Sequence, residues 1–321
     1  MDHAAAPLAK RSPLGAQSQS IAFAVLVVAL MVAPFFTYPL FLMECMCFAL
    51  FALAFNLLIG YVGLLSFGHA LYFGWASYMA AHAAKDWGLS PELSILVGTA
   101  TAALFGLIAG ALAIRRQGIY FAMITLALAQ MMYFVALRAK FTGGEDGIQS
   151  VPRGHLFGLF DLSKTPAMYV LVFVIFIGSF LFIRRIIHSP FGEVLKAIRE
   201  NDLRAVSLGY RIDRYKLMAF VLSATLAGLA GATKALVVQI ASLTDVYWPM
   251  SGEVVLMTLV GGLGTVYGPI VGAFVILAMQ YKLAFMGQWV LVIQGVIFVI
   301  CVLLFRRGIV GEIAHRLRIR L

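Results

Sequence analysis

From Ile21 to Phe305 the chain is a succession of apolar runs parted by short polar joints. Bilayer hydrocarbon offers no water to backbone N–H and C=O groups, so a segment crossing it must satisfy them internally, as a helix does. A soluble domain of 321 residues has no use for a composition that is 62% hydrophobic and only 12% charged, and the chain reads as an all-α polytopic membrane protein. The runs fall at residues 21–37, 39–58, 61–84, 92–114, 118–137, 167–187, 217–240, 254–260, 270–283 and 288–305, which gives about ten transmembrane helices. The domain reading is a disordered cytoplasmic tail at 1–20, a transmembrane domain at 21–305 and a basic cytoplasmic tail at 306–321. Residues 21–37 are taken as the first span and not as a cleaved signal peptide, because no small-x-small site follows and the next span begins at once.

Residues 189–210 form the longest charged segment in the chain. Ser189 suits a helix N-cap and Pro190 the first helical position; Asn201 can cap a second short helix and Gly209 can close it. Glu193, Lys196 and Glu200 stand at pairing distance along the first helix. Val194, Leu195 and Ile198 give it an apolar stripe, and Arg199, Glu200 and Arg204 give a polar rim. Two short amphipathic helices on a membrane protein suit docking of a soluble partner, with Val194, Leu195 and Ile198 as the anchors. An ordinary solvated loop with helical content has the same spacing.

Glycine, serine and histidine are concentrated in two further places. Asn56, Gly60, Gly63, Ser66, Gly68 and His69 crowd the joint between the second and third runs. Gly261, Gly262, Gly264, Gly268 and Pro269 interrupt the chain between the eighth and ninth. Glycine and proline at that density do not suit a continuous lipid-facing helix and predict a helix break or close backbone approach. Asn56, Ser66 and His69 are expected to face protein. The second cluster superficially resembles a nucleotide-binding loop, but it follows no hydrophilic strand and has no Lys-Ser/Thr.

At four separated places these words resemble those of LivM-type permease subunits of branched-chain amino acid ABC transporters. They are Asn56 to Ala70; Thr142-Gly143-Gly144-Glu145-Asp146-Gly147; Ser189-Pro190-Phe191-Gly192 with Ala197-Ile198-Arg199-Glu200-Asn201 and Leu208-Gly209; and Gly261 to Pro269. The match departs at Leu203-Arg204-Ala205, where the general Glu-Ala-Ala consensus of ABC permeases falls. The resemblance implies a cytoplasmic coupling loop at 188–216 seated on an ATPase. It further implies a homologous second permease subunit, two ATP-binding cassette ATPases and a periplasmic substrate-binding protein, in a bacterial inner membrane. ATP and Mg would be bound by the ATPases and no cofactor by this chain. A secondary transporter driven by an ion gradient is the alternative, and a channel or scaffold comes third.

Charge placement separates inside from outside. With the N-terminus inside, seventeen of the 24 Lys and Arg fall in cytoplasmic segments and five outside, Lys234 and Lys282 lying within or at the end of spans. That asymmetry predicts an N-in/C-in topology with 188–216 in the cytoplasm and 138–165 outside. The net charge of +10 is thereby explained by topology, without nucleic acid. Spans two to five then enter from outside and seven to ten from inside, and each set contains one glycine-broken element, around residues 60–74 and 261–272, as in an inverted repeat whose broken helices flank a central pathway.

The remaining chemistry is sparse. Cys45, Cys47 and Cys301 lie in apolar runs and read as buried small hydrophobes. Glu145 and Asp146 offer too few ligands for a calcium loop. Glu44, His69, Lys234 and Glu253 are costly at bilayer depth, about 2.5–3.5 kcal/mol each for charged groups on insertion scales; protein-facing packing is favoured over a transport role for His69 and Lys234. No Walker motif, nucleophile triad or metal cluster is present, so the chain is expected to be no enzyme.

Overall fold

The computed structural model describes residues 13–158, 160–287, 289–304 and 308–316. The described residues are mostly helical. In chain order the helices are α1 (Pro13–Val32), α2 (Pro39–Tyr61), α3 (His69–Lys85), α4 (Pro91–Ala113), α5 (Ile119–Arg138), α6 (Thr165–Ile187), α7 (Pro190–Glu200), α8 (Asp202–Ser207), α9 (Ile212–Val238), α10 (Trp248–Gly261), α11 (Gly268–Leu283), α12 (Trp289–Leu304) and α13 (Gly308–Arg316). Among the described residues six helices are long and apolar enough to cross a membrane: α2, α4, α5, α6, α9, and α11 with its short 3-10 extension to Met286. Residues 1–12 of the expected N-terminal tail lie outside the description, as do 305–307 and 317–321 at the other end; α1 starts at Pro13, within the stretch assigned to the tail.

Helix α2 is the hub of the bundle. Nearly all of it from Leu42 onward is buried, with Glu44 and Ile59 only partly so, and it packs on α6, α9, α10 and α11. Small residues decide how closely its neighbours approach. Along α4 and α9, Gly98 faces Ala232, Ala102 faces Gly228, Gly106 faces Ala224 and Gly110 faces Phe220. The four-residue step keeps these positions on one face of each helix, and the reversed order makes the pair antiparallel. A Cβ added at Gly228 would lie 2.1 Å from that of Ala102, so the two backbones are too close for larger side chains.

Helices α3 and α10 are too short to span by themselves. Helix α3 has 17 residues and α10 has 14, about 25 and 21 Å at 1.5 Å per residue, against a hydrocarbon core of about 30 Å. The run expected at 61–84 is helical only from His69; residues 62–68 form a non-helical segment pinned by Thr125, whose Oγ1 accepts from Phe67 N at 3.2 Å. Helices α3 and α10 meet near their N-terminal ends, where Ala70 N donates to Ser251 Oγ at 2.9 Å. They leave that junction in opposite directions. Helix α3 runs alongside α9 to the end where Lys85 Nζ donates to Gln149 O, and α10 runs to the end where Gly264 meets Gly60.

At the first of these ends the chain forms small antiparallel pairings. Strand β1 (Ile148–Gln149) pairs with β4 (Ile240–Ala241), Ile148 opposite Ala241, and β2 (His155–Leu156) pairs with β3 (Phe160–Asp161). Arg153 donates to the carbonyls of Leu236 and Val237, 3.2 and 2.6 Å, which satisfies acceptors that the end of α9 leaves open. Residues 148–153 thus close over the C-terminal end of α9.

Candidate coupling site

The charged island folds from local signals. Ser189 Oγ accepts from Gly192 N at 3.4 Å and Pro190 opens α7. Asn201 Oδ1 accepts from Arg204 N at 3.0 Å, which starts α8, and Gly209 ends the unit at φ +86°, a conformation that glycine adopts without a Cβ clash. Gly192 fits where α7 crosses the end of α6: a Cβ there would be 2.3 Å from Ile187 O. Phe191 stacks on Tyr215 of α9, and Asp202 at the start of α8 pairs with Lys216 at 2.6 Å.

The expected docking face is corrected by burial. Leu195 is 0% and Ile198 2% exposed, and both pack into this chain. Leu195 joins the main core, while Ile198, Ala205 and Ile212 form a small core of their own, with Val194 packed against it. The stripe on α7 holds α7 to its own bundle and cannot anchor a partner. Hydrophobic periodicity identifies a buried face without specifying what buries it. The outward apolar groups are on α8 and just after it: Leu203 is 80%, Val206 57%, Leu208 67% and Tyr210 39% exposed. Sequence reading passed over them; Leu203 and Val206, three apart on one helix face, were the available signal. Arg199, Glu200, Asn201 and Arg204 are exposed, and Lys196 and Ala197 partly so.

The two glycine clusters, far apart in sequence, meet beside α7. Asn56 Nδ2 donates to Thr265 O at 2.9 Å and its Oδ1 accepts from Gly264 N at 3.0 Å. A Cβ at Gly60 would lie 2.9 Å from Gly264 N. Arg199 reaches in from α7 and its Nη1 donates to Gly60 O. Gly63 and Gly264 have φ of +81° and +73°, which disfavours any side chain there. The turns at 62–68 and 262–267 therefore share one end of the bundle. An axis in the membrane plane exchanges the two ends, so these clusters are not each other's equivalents in an inverted repeat, contrary to the expectation above.

The other predicted residues lie elsewhere. Gly261 and Gly268 sit at the close crossing of α10 and α11, where a Cβ at Gly261 would be 1.9 Å from Gly268 O. Pro269 and Gly262 flank that crossing, Gly262 as the C-cap of α10. Thr265 Oγ1 bonds Gly262 O at 2.8 Å and accepts from Gly268 N at 3.0 Å, closing the turn. Ser66 is buried and accepts from Gly68 N; Gly68 packs on the backbone of Thr125. His69 is 0% exposed, its Nε2 2.8 Å from Ser223 Oγ, among the rings of Phe55, Tyr72 and Phe220. Protein-facing packing is what surrounds it.

Lys234 is also a packing group, through a partner that sequence reading did not name. Its Nζ lies 2.8 and 2.7 Å from the two carboxylate oxygens of Asp245, and both residues are buried. Asp245 follows α9 on the link to α10, which lies against Gly74 of α3. The pair fastens that link to α9.

Comparison with known proteins follows the same outline. The family described as "Branched-chain amino acid transport system / permease component" matches residues 38–302. The high-affinity branched-chain amino acid transport system permease protein LivM of Escherichia coli is 24% identical over 298 residues, covering 86% of this chain and 70% of that protein. The protein of the same name from Salmonella typhimurium aligns with the same identity and coverage. The ribose import permease protein RbsC of Bacillus subtilis is 28% identical over 203 residues, 56% of this chain and 58% of that protein. No solved structure matches.

Proposed function

Because the chain belongs to the branched-chain amino acid transport permease family, we propose that it is the membrane-embedded permease subunit of an ATP-binding cassette importer for branched-chain amino acids. It is a transport subunit and not an enzyme. The driving reaction takes place on two separate ATPase subunits, which bind ATP and Mg. A homologous second permease completes the pathway, and a periplasmic binding protein delivers the amino acid at the outer face of a bacterial inner membrane. The matching ribose permease supports the view that one permease architecture serves different small solutes, with the cargo of this one assigned by its LivM-like relatives.

The carrying observation is the outward apolar surface of α8 and its C-cap, where Leu203, Val206 and Leu208 are more than half exposed on a unit otherwise capped and packed. Exposed apolar side chains clustered on a basic loop suit a protein partner. The charge asymmetry supports an N-in/C-in arrangement of about ten spans, with α7 and α8 in the cytoplasm. An inverted repeat is supported by another pairing of parts: α2 with α9, the segment 62–68 with the link 239–247, and α3 with α10. Each half has one long helix, an irregular return and a short helix that starts near the Ala70–Ser251 junction, the second return containing a 3-10 turn at Leu243–Asp245.

Mechanistically, closure of the ATPases on ATP moves α7 and α8, and the bundle switches the pathway between outward and inward access. The test is purification with the ATPases and the binding protein, followed by measurement of ATP hydrolysis with and without substrate. Retention of both ATPases and hydrolysis stimulated by substrate-loaded binding protein are expected. A permease that retains no ATPase refutes the proposal.

A further inference from the structure

Arg199 is placed to do more than cap a helix. Its Cγ lies against Gly63, 3.3 Å from where a Cβ would stand, and its Nη1 lies 3.3 Å from the equivalent position at Gly264 while donating to Gly60 O. One side chain from α7 thus touches both glycine turns. Each contact is with backbone or with a glycine, and a glycine has no side chain to yield by changing rotamer. The other attachments of α7 to the bundle are of a different kind: Leu195 and Ile198 are apolar, and such packing is non-directional. A charged donor on a main-chain carbonyl is directional and strong. Asn56 holds the two turns together from the opposite side through Gly264 N and Thr265 O.

We propose that Arg199 is a positioning residue that transmits displacement of α7 and α8 to both glycine turns at once. The inference rests on the reading of α7 and α8 as the ATPase dock. When the ATPases shift α7, the guanidinium carries Gly60 at the end of α2, and Asn56 carries the 262–267 turn with it. The helices entering and leaving these turns, α2, α3, α10 and α11, then move as a set. A helix-end role alone is the competing account, since Arg199 stands in the last turn of α7, where a cation is favoured.

The experiment compares Arg199→Met, which keeps length and loses the donor, with Arg199→Lys, which keeps a charged donor able to reach Gly60 O, and with Asn56→Ala. In vesicles containing the full complex, three quantities are read: ATPase retained, ATP hydrolysed and substrate taken up per ATP. Loss of a charge-assisted hydrogen bond predicts about a tenfold fall in uptake per ATP for Arg199→Met, with retention unchanged. Arg199→Lys is expected to recover most of it, and Arg199→Met combined with Asn56→Ala to be no worse than Arg199→Met alone. Nitroxide labels at Ser207→Cys and Leu263→Cys, in a background without native cysteines, report the tie directly and need no ATPase. Their distance distribution is expected to broaden in Arg199→Met. Unchanged uptake per ATP in Arg199→Met, or a loss of uptake that merely follows lost ATPase retention, overturns the proposal, as does an unchanged label distance. If the unsubstituted permease retains no ATPase, the dock reading fails, and the tie stands or falls on the label distance alone.

Discussion

Truncating Leu203 should weaken ATPase binding without loosening the permease, and truncating Leu195 should do the reverse. Leu203 is 80% exposed and Leu195 0%. Full burial of a leucine side chain stabilises by about 1.5–3 kcal/mol, so docking that covers the exposed part of Leu203 contributes about 2 kcal/mol. Leu203→Ala removes most of this, a loss of roughly 10-fold or more in affinity. Val206, 57% exposed, adds about 1 kcal/mol on the same scale, and the double substitution is expected to cost roughly 100-fold. Leu195→Ala instead leaves a void in a closed core, with a loss of about 2–5 kcal/mol of stability. Binding of purified ATPase to the permease in nanodiscs gives the first quantity and thermal unfolding of the detergent-solubilised permease the second. If Leu203→Ala binds as tightly as the unsubstituted chain, or Leu195→Ala loses affinity with its melting temperature unchanged, the assignment of faces is wrong.

Three further outcomes follow from the geometry. In a chain without native cysteines, Ser207→Cys should resist an impermeant thiol reagent in intact cells while Glu145→Cys reacts; labelling of Ser207→Cys from outside would reverse the topology. Gly264→Leu should insert normally and lose transport, because a branched side chain at φ +73° with Arg199 3.3 Å from its Cβ costs about 1–2 kcal/mol in backbone strain alone and displaces the guanidinium; normal uptake at normal expression would contradict the close-approach account. Lys234→Met should destabilise the permease by about 3–5 kcal/mol by leaving Asp245 buried and unpaired, and adding Asp245→Asn should restore much of that. Thermal melts in which the double variant is as unstable as the sum of the singles would refute the ion pair's role.

What was legible in the sequence was local. Ser189, Asn201 and Gly209 announce caps by residue type and offset, and the two short helices stand where those signals put them. Less legible was anything that depends on which surfaces meet. The stripe of Leu195 and Ile198 has the spacing of a docking helix, yet the same spacing suits a helix packed on its own bundle. Asp245 did not stand out as the partner of Lys234, since the link that carries it must fold back onto α3 and α9 before the two can meet. The glycine clusters invited pairing by similarity of composition. Only the contacts of Asn56 and Arg199 place them side by side at one end. The short helices α3 and α10, which meet at Ala70 and Ser251, have no common word in the sequence.

The central claim, that ATP hydrolysed on separate subunits drives transport through this chain, is tested most directly by uptake of a radiolabelled branched-chain amino acid into proteoliposomes. The permease pair and ATPases are reconstituted with ATP inside and loaded binding protein outside. The account predicts uptake that requires ATP and both ATPases and is unchanged by an uncoupler. Uptake by this chain alone, without ATPases, that collapses when an uncoupler removes the ion gradient would contradict it.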